Sequence, residues 1–237
     1  PVTNTLQRDK AASILNPFDL FAAEEAVRLK ERYGGSIHAF TMGIPAASKV
    51  LKEAMAMGAD DGFLLSDRQF AGADTLATAY TLAQGIQKRG GFDLVICGRM
   101  ATDGDTAQVP PILAEFLGIP CLTDICQIIS ADEALLRCRR MGDDRYSIWE
   151  VRLPALITVT KEINVPRLPS IAGLRYAAGH PVTTWSAADF PHMDKDRIGL
   201  QGSATQVKRT FVPHQEISTR MICGSPEQQA AELAGEL

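Results

Sequence analysis

The chain has 237 residues, 46% of them hydrophobic and 22% charged, with a formal net charge of −4. That is enough apolar material for one sizeable core and a smaller appendage, and the mild acidity removes the basic footprint that nucleic-acid binding requires. No apolar run approaches a membrane span and no signal peptide is visible.

Residues 1 to 15 read as a polar connector, and the absence of an opening apolar strand before them reads as a missing N-terminal piece. Asn16-Pro17-Phe18-Asp19 combines an N-cap residue, a proline at the first helical position and an acid in the first turn, which predicts a helix closed by Gly34 and Gly35. A strand over Ser36 to Met42, a helix over Pro45 to Met57 and a strand over Asp61 to Ser66 follow. Met55 and Met57 fill the core. Asp74 caps a helix running to about Lys88. Leu94 to Cys97 form a short apolar run, the pattern of a parallel strand covered on both faces, and Gly98 ends it. Pro110 and Pro111 fit only a first helical turn, so a helix starts at about Val109, with Asp105 or Thr106 to cap it, and stops at Gly118.

After Pro120 the helices give way to CLTDICQII, ALLRCRR and YSIWEVRLP, which predict an antiparallel meander at a sheet edge. Ala155 to Thr160 is one more buried strand. Pro166 and Pro169 then stiffen an excursion with Ile163, Leu168 and Ile171 available to an outside surface, an interaction loop or a plain connector. From Pro181 onward short pieces joined by polar linkers read as an arm. The fold class is therefore α/β, a doubly wound, mostly parallel sheet with an antiparallel edge meander and a C-terminal arm, divided into a domain over 1–180 and an arm over 181–237.

In such sheets ligands lie beyond the carboxyl ends of strands, where helix N-termini favour anions. The loop Gly98 to Gln108 occupies that place. It matches neither G-x-x-x-x-G-K-[ST] nor G-x-G-x-x-G, and Asp103 and Asp105 repel phosphate unless they turn to backbone amides, so an ordinary strand-to-helix turn stays open as the alternative. Cys97, Cys121, Cys126, Cys138 and Cys223 lack C-x-x-C spacing and read as reduced thiols of a cytoplasmic protein. His38, His180, His192 and His214 are scattered. No catalytic residue and no metal ligand is assigned.

Several motifs in order resemble the β subunits of electron-transferring flavoproteins: NPFDLFAAEEAVRLKE at 16–31, LKEAMAMGADDGFLLSD at 51–67, AGADTLATAYTLA at 71–83, DLVICGRMATDGDTAQV at 93–109, LPALITVTKEINVPRLPSI at 153–171, then WSAADF and RIGLQGSATQV. The resemblance covers nearly the whole chain. It implies a Rossmann-like domain paired with an α subunit that carries a mobile flavin domain, with the arm wrapping that subunit. It also implies an adenine nucleotide held by Asn16, Pro17, Phe18 and Asp19, by Met42, and by Gly98, Arg99, Met100, Ala101, Thr102, Asp103, Gly104, Asp105, Thr106, Ala107, Gln108 and Val109. The segment Asp103 to Val109 resembles the D-G-D-T-x-Q-V pattern of the electron-bifurcating group, which implies FAD here, NADH as hydride donor, and ferredoxin or flavodoxin as low-potential acceptor. The other electron then passes through the α-subunit FAD to a flavin-containing dehydrogenase of acyl-CoA or hydroxy-acid type. The alternatives are a plain relay with structural AMP and a stand-alone nucleotide-binding regulatory protein. Leu168, with Pro169 and Ile171, matches the family's partner-docking loop. The family's opening V-C-V-K-Q-V-P-D strand is absent, Met100 stands where relatives often have glutamine, and Pro110 where many have glycine.

Overall fold

The computed structural model describes residues 13–208, 211 and 219–235. The expected connector up to residue 12, and His214, lie outside the described residues. One compact unit ends at Gln206. It runs α1 (Pro17–Tyr33), β1 (His38–Met42), α2 (Ser48–Met57), β2 (Asp61–Leu65), α3 (Thr75–Arg89), β3 (Leu94–Gly98) and α4 (Val109–Leu117). It continues through β4 (Cys121–Ala131), β5 (Leu135–Met141), β6 (Tyr146–Arg152), β7 (Ala155–Val159), α5 (Ile171–Gly179) and β8 (Thr183–Trp185).

The strands form two sheets. β1, β2 and β8 make an all-parallel sheet in that order, and the second sheet, in the order β3-β7-β4-β5-β6, is parallel through β4 and antiparallel beyond it. This is the expected Rossmann-like α/β architecture with its edge meander. All five residues of β7 are buried, as a central parallel strand covered on both faces requires. Among the described residues β1 pairs only with β2 and β3 only with β7, so each keeps an edge without a strand partner, and both edges line one long cleft.

The helices begin and end where local chemistry directs. Asp74 caps α3 by accepting from the amides of Leu76 and Ala77 at 3.0 and 3.1 Å, satisfying donors that the first turn leaves orphaned. α4 departs from expectation: its N-cap is Gln108, in helical conformation and without a side-chain cap bond, rather than Asp105 or Thr106. The physical reason is the loop before it, where Asp105 and Ala107 take left-handed backbone angles and turn the chain before the helix starts. Met55 and Met57 are buried in the core.

Three further expectations change. Ile163 packs against the core cluster of β4, β5 and β7 instead of facing outward. The segment after Pro169 is helical as α5, and Gly173 lets it approach α2 so closely that a Cβ there would sit 2.2 Å from the Ala56 carbonyl oxygen. The stretch after Pro181 is not all arm: Thr183–Trp185 joins the sheet beside β2, and Phe190, Met193 and Ile198 are buried with Leu65, Phe70 and Tyr80. The compact unit therefore reaches Gln206, past the boundary expected at 180. Asp74 also holds its far end, accepting from the amide and hydroxyl of Thr205 at 2.9 and 3.0 Å. The remaining unit begins at Val207 and contains α6 (Pro226–Ala234), opened by a Ser225–Gln228 capping box and with no buried residue. Among the described residues no helix is long and apolar enough to cross a membrane.

Candidate functional site

Parallel strands direct their carboxyl ends to one rim. There α1 meets the end of β3 at Gly98. The Gly98 amide donates to Asp19 Oδ1 at 2.7 Å, and Asn16 Nδ2 donates to Asp19 Oδ2 at 2.9 Å and to the Met100 carbonyl at 2.9 Å. Asn16 Oδ1 in turn accepts from the Thr102 amide at 3.3 Å. Asn16 thus stands at the N-cap of α1 without capping it; its amide instead stitches the loop after β3 to the helix. Burial raises the Asp19 pKa, and the bonds from Asn16 and Gly98 work against that rise. Burial, then the Asp19 charge, push the neighbouring Cys97 thiol far above its ordinary range, so it is a protonated, inert packing group.

Asn16, Pro17, Asp19, Met42, Thr102 and Asp103 line one cleft of about 1310 Å³. The three chain segments singled out in the sequence therefore converge. The cavity exceeds the usual size of a small-ligand pocket because it continues down the seam between the β1 and β3 edges to Leu153 and Ala131. Only its rim end carries the predicted residues. Phe18 contributes backbone against Gly98, where an added Cβ would lie 2.6 Å from the Phe18 carbonyl carbon. Ala101 to Gln108 form an exposed arch leading into α4 at Val109, with Gln108 held by the Thr75 hydroxyl at 2.9 Å. Phe18, Gly98 to Ala101 and Gly104 to Val109 do not line the cleft.

The sequence reading missed Asp124, Thr158, Arg140 and Thr160 at this rim. Arg99 is exposed; its amide continues the ladder to the Val159 carbonyl at 3.1 Å while its guanidinium pairs with Asp124 at 3.1 Å. Asp124 also lies 4.0 Å from Arg140, and its amide donates to the Thr158 hydroxyl at 3.0 Å. Asp124 has φ +60° at an irregularity of β4, a strained angle for a strand residue. An aspartate in a long apolar strand was the one signal available. Thr160, next after β7, keeps a buried hydroxyl without a partner.

Asp105 and Ala107, at φ +48° and +53°, alternate with their neighbours, and the Asp105 amide donates to the Ala101 carbonyl at 2.8 Å. Pro110 and Pro111 bring no N–H to the start of α4. Positive φ at two non-glycine residues of an exposed loop is uncommon.

The residues expected to dock a partner lie elsewhere. Leu168 and Ile171 are 91% and 73% exposed, and Pro169 is exposed between them. Among the described residues no cluster of His, Cys, Asp and Glu forms a metal centre.

Comparison with known proteins places the chain. The electron transfer flavoprotein domain matches residues 3–190. The chain is 44% identical to the electron transfer flavoprotein subunit beta of Thermoanaerobacterium thermosaccharolyticum, over all of this chain and 90% of that protein. It is also 44% identical to the caffeyl-CoA reductase-Etf complex subunit CarD of Acetobacterium woodii, over all of this chain and 89% of the relative. Protein FixA of Bradyrhizobium diazoefficiens is 41% identical, over 98% of this chain and 83% of its own length. A domain match spanning most of the chain, with full-length identity above 40% to β subunits, is decisive: the chain belongs to the electron transfer flavoprotein family, among its β subunits.

Proposed function

We propose that the chain is the β half of a cytoplasmic α/β flavoprotein that takes a hydride from NADH and divides the two electrons. One goes to a low-potential acceptor, ferredoxin or flavodoxin, and the other, through the FAD of the α subunit, to a flavin-containing dehydrogenase of acyl-CoA or hydroxy-acid type. The observation that carries the reading is the convergence of Asn16, Asp19, Met42 and Thr102 on one rim beside the left-handed D-G-D-T-A-Q loop. A relative of matching length named as part of a caffeyl-CoA reductase-Etf complex supports it.

The nucleotide assigned to this rim is FAD, which when bound supplies hydride acceptance and one-electron transfer. Asn16 and Asp19 fix the loop Gly98 to Thr102 against α1, and Arg99, steadied by Asp124, offers positive charge to a phosphate. No side chain here is cast as general acid or base. Leu168, Pro169 and Ile171 form the apolar tip that docks the dehydrogenase. The arm beyond Gln206 lies along the α subunit, a use suited to a helix that buries nothing of its own.

Denaturing the purified α/β pair and counting released nucleotides tests this. Two FAD per pair are expected. One FAD with one AMP overturns bifurcation in favour of a plain relay, and a monomeric chain that never copurifies with a second subunit favours a stand-alone regulatory protein.

A further inference from the structure

We propose that Arg167 is the positioning residue of the docking tip, a fork that fixes Leu168 by clamping the preceding residue to the buried carboxylate of Glu24 on α1. The inference rests on the docking role given above to Leu168. Glu24 is only 2% exposed, and both its oxygens are engaged. Arg167 Nε donates to Oε2 at 2.8 Å and Nη2 to Oε1 at 3.1 Å, while the Arg167 backbone amide reaches Oε2 at 3.2 Å. The outer side of the same guanidinium holds Glu31 through Nη1 and Nη2 at 2.6 and 3.0 Å.

The residues just before the fork are tied to the same helix. Asn164 Nδ2 donates to the Phe21 carbonyl and to Glu25 Oε2, both at 3.0 Å. Arg28, which also pairs with Glu24 at 2.7 Å, reaches the Val165 carbonyl at 3.5 Å. Just after the tip, the Ser170 hydroxyl accepts from the Gly173 amide at 3.0 Å and opens α5. Leu168 and Pro169 are therefore suspended between two fixed points, Arg167 and Ser170, with Pro166 and Pro169 restricting the backbone angles on either side.

Only arginine fits this role. A carboxylate buried to this degree is costly unless paired and hydrogen-bonded on both oxygens. A planar fork answers two carboxylates at once, which a lysine ammonium on a flexible stem cannot do. The chain's demand to satisfy Glu24 thereby becomes a demand on the shape of the loop. A tip held in its bound shape beforehand loses less conformational freedom on docking.

The test is NADH-driven electron transfer by the full α/β complex to a purified flavin-containing acyl-CoA dehydrogenase. Arg167→Met is expected to raise KM for the dehydrogenase roughly tenfold, with kcat at saturating dehydrogenase and nucleotide content unchanged, and to speed hydrogen exchange at 163–168. Arg167→Lys should fall between. Because Met leaves Glu24 buried without its fork, the double variant Glu24→Leu/Arg167→Met removes both charges, and the same KM rise is expected. If Leu168→Glu raises KM while both Arg167 variants leave it unchanged, or if they lower kcat alone, the clamp is refuted and the docking tip stands. If Leu168→Glu also leaves KM unchanged, the docking reading falls, and the clamp's role with it.

Discussion

Gly98→Ala probes the joint on which the nucleotide rim depends. A Cβ at this position would lie 2.6 Å from the Phe18 carbonyl carbon, 2.7 Å from Phe18 Cβ and 2.8 Å from the Asp19 nitrogen. Non-bonded carbons settle at roughly 3.5–4.0 Å, so the first turn of α1 must retreat by about 1 Å. Two of the three clashing atoms are backbone, and no side-chain rotation relieves them. Overpacking of this kind costs about 1–3 kcal/mol. The same retreat stretches the 2.7 Å bond from the Gly98 amide to Asp19, and a hydrogen bond to a charged group is worth about 1.5–3 kcal/mol. With partial relaxation the sum is about 3 kcal/mol, equivalent to a fall in Tm of roughly 6–12 °C for a chain of this size. Asn16 moves with the turn, so affinity for AMP, a probe for the adenylate part of either nucleotide, should fall at least about tenfold. Thermal denaturation and calorimetric titration with AMP measure the two effects. An unchanged Tm with unchanged AMP affinity would show that α1 and β3 are not in contact as described and would refute the reasoning.

Asn16→Ala removes the bonds to Asp19, to the Met100 carbonyl and to the Thr102 amide; with the two ties to the loop worth about 1 kcal/mol each this should weaken AMP binding about ten- to thirtyfold, and an unchanged Kd would place the nucleotide elsewhere. Ala107→Val sets a β-branched side chain at φ +53°, costing about 1–2 kcal/mol and lowering AMP affinity, whereas Ala107→Gly should keep both stability and binding; equal behaviour of the two in melting and titration would dismiss the strained loop as functional. Asp74→Ala loses the cap of α3 and the tie to Thr205, about 1.5 kcal/mol, read as a Tm lower by roughly 3–6 °C. For Glu24, burial pulls the pKa upward, but the hydrogen bonds from Arg167 and Arg28 prevail and hold it below its ordinary 4.5. A carboxyl depressed in the folded state contributes stability that is present above its unfolded pKa and lost as pH falls through the folded value. The Tm difference between the unaltered chain and Arg167→Met should therefore stay flat near neutrality and shrink on acidification below 4.5, and a difference that instead grows there would overturn the pairing.

Much of the fold was legible because its signals are local. Asn16-Pro17, Asp74, Pro110-Pro111 and the glycines after each helix act within one turn of themselves, and they located α1, α3 and α4 to within a residue or two. The run Ala155 to Thr160 announced a buried strand, and β7 is buried at all five residues. The D-G-D-T-A-Q segment marked the rim by its place after β3, though not its left-handed angles, and no local rule predicts those for Asp105 and Ala107.

Tertiary structure decided what depends on partners far along the chain. Asn16 has the sequence signature of a cap, yet its amide goes to Met100, 84 positions away. Thr183 to Trp185 is too short to show a period, and it becomes a strand because the edge of β2 offers backbone partners. Glu24 looks like one more wet acid on an amphipathic helix until Arg167, 143 positions later, closes over it. Periodicity and capping report the free energy of a segment with itself. The rim around Asp124 and the clamp beside Leu168 arise instead from satisfying polar groups across the whole fold, a condition set only once the chain has packed.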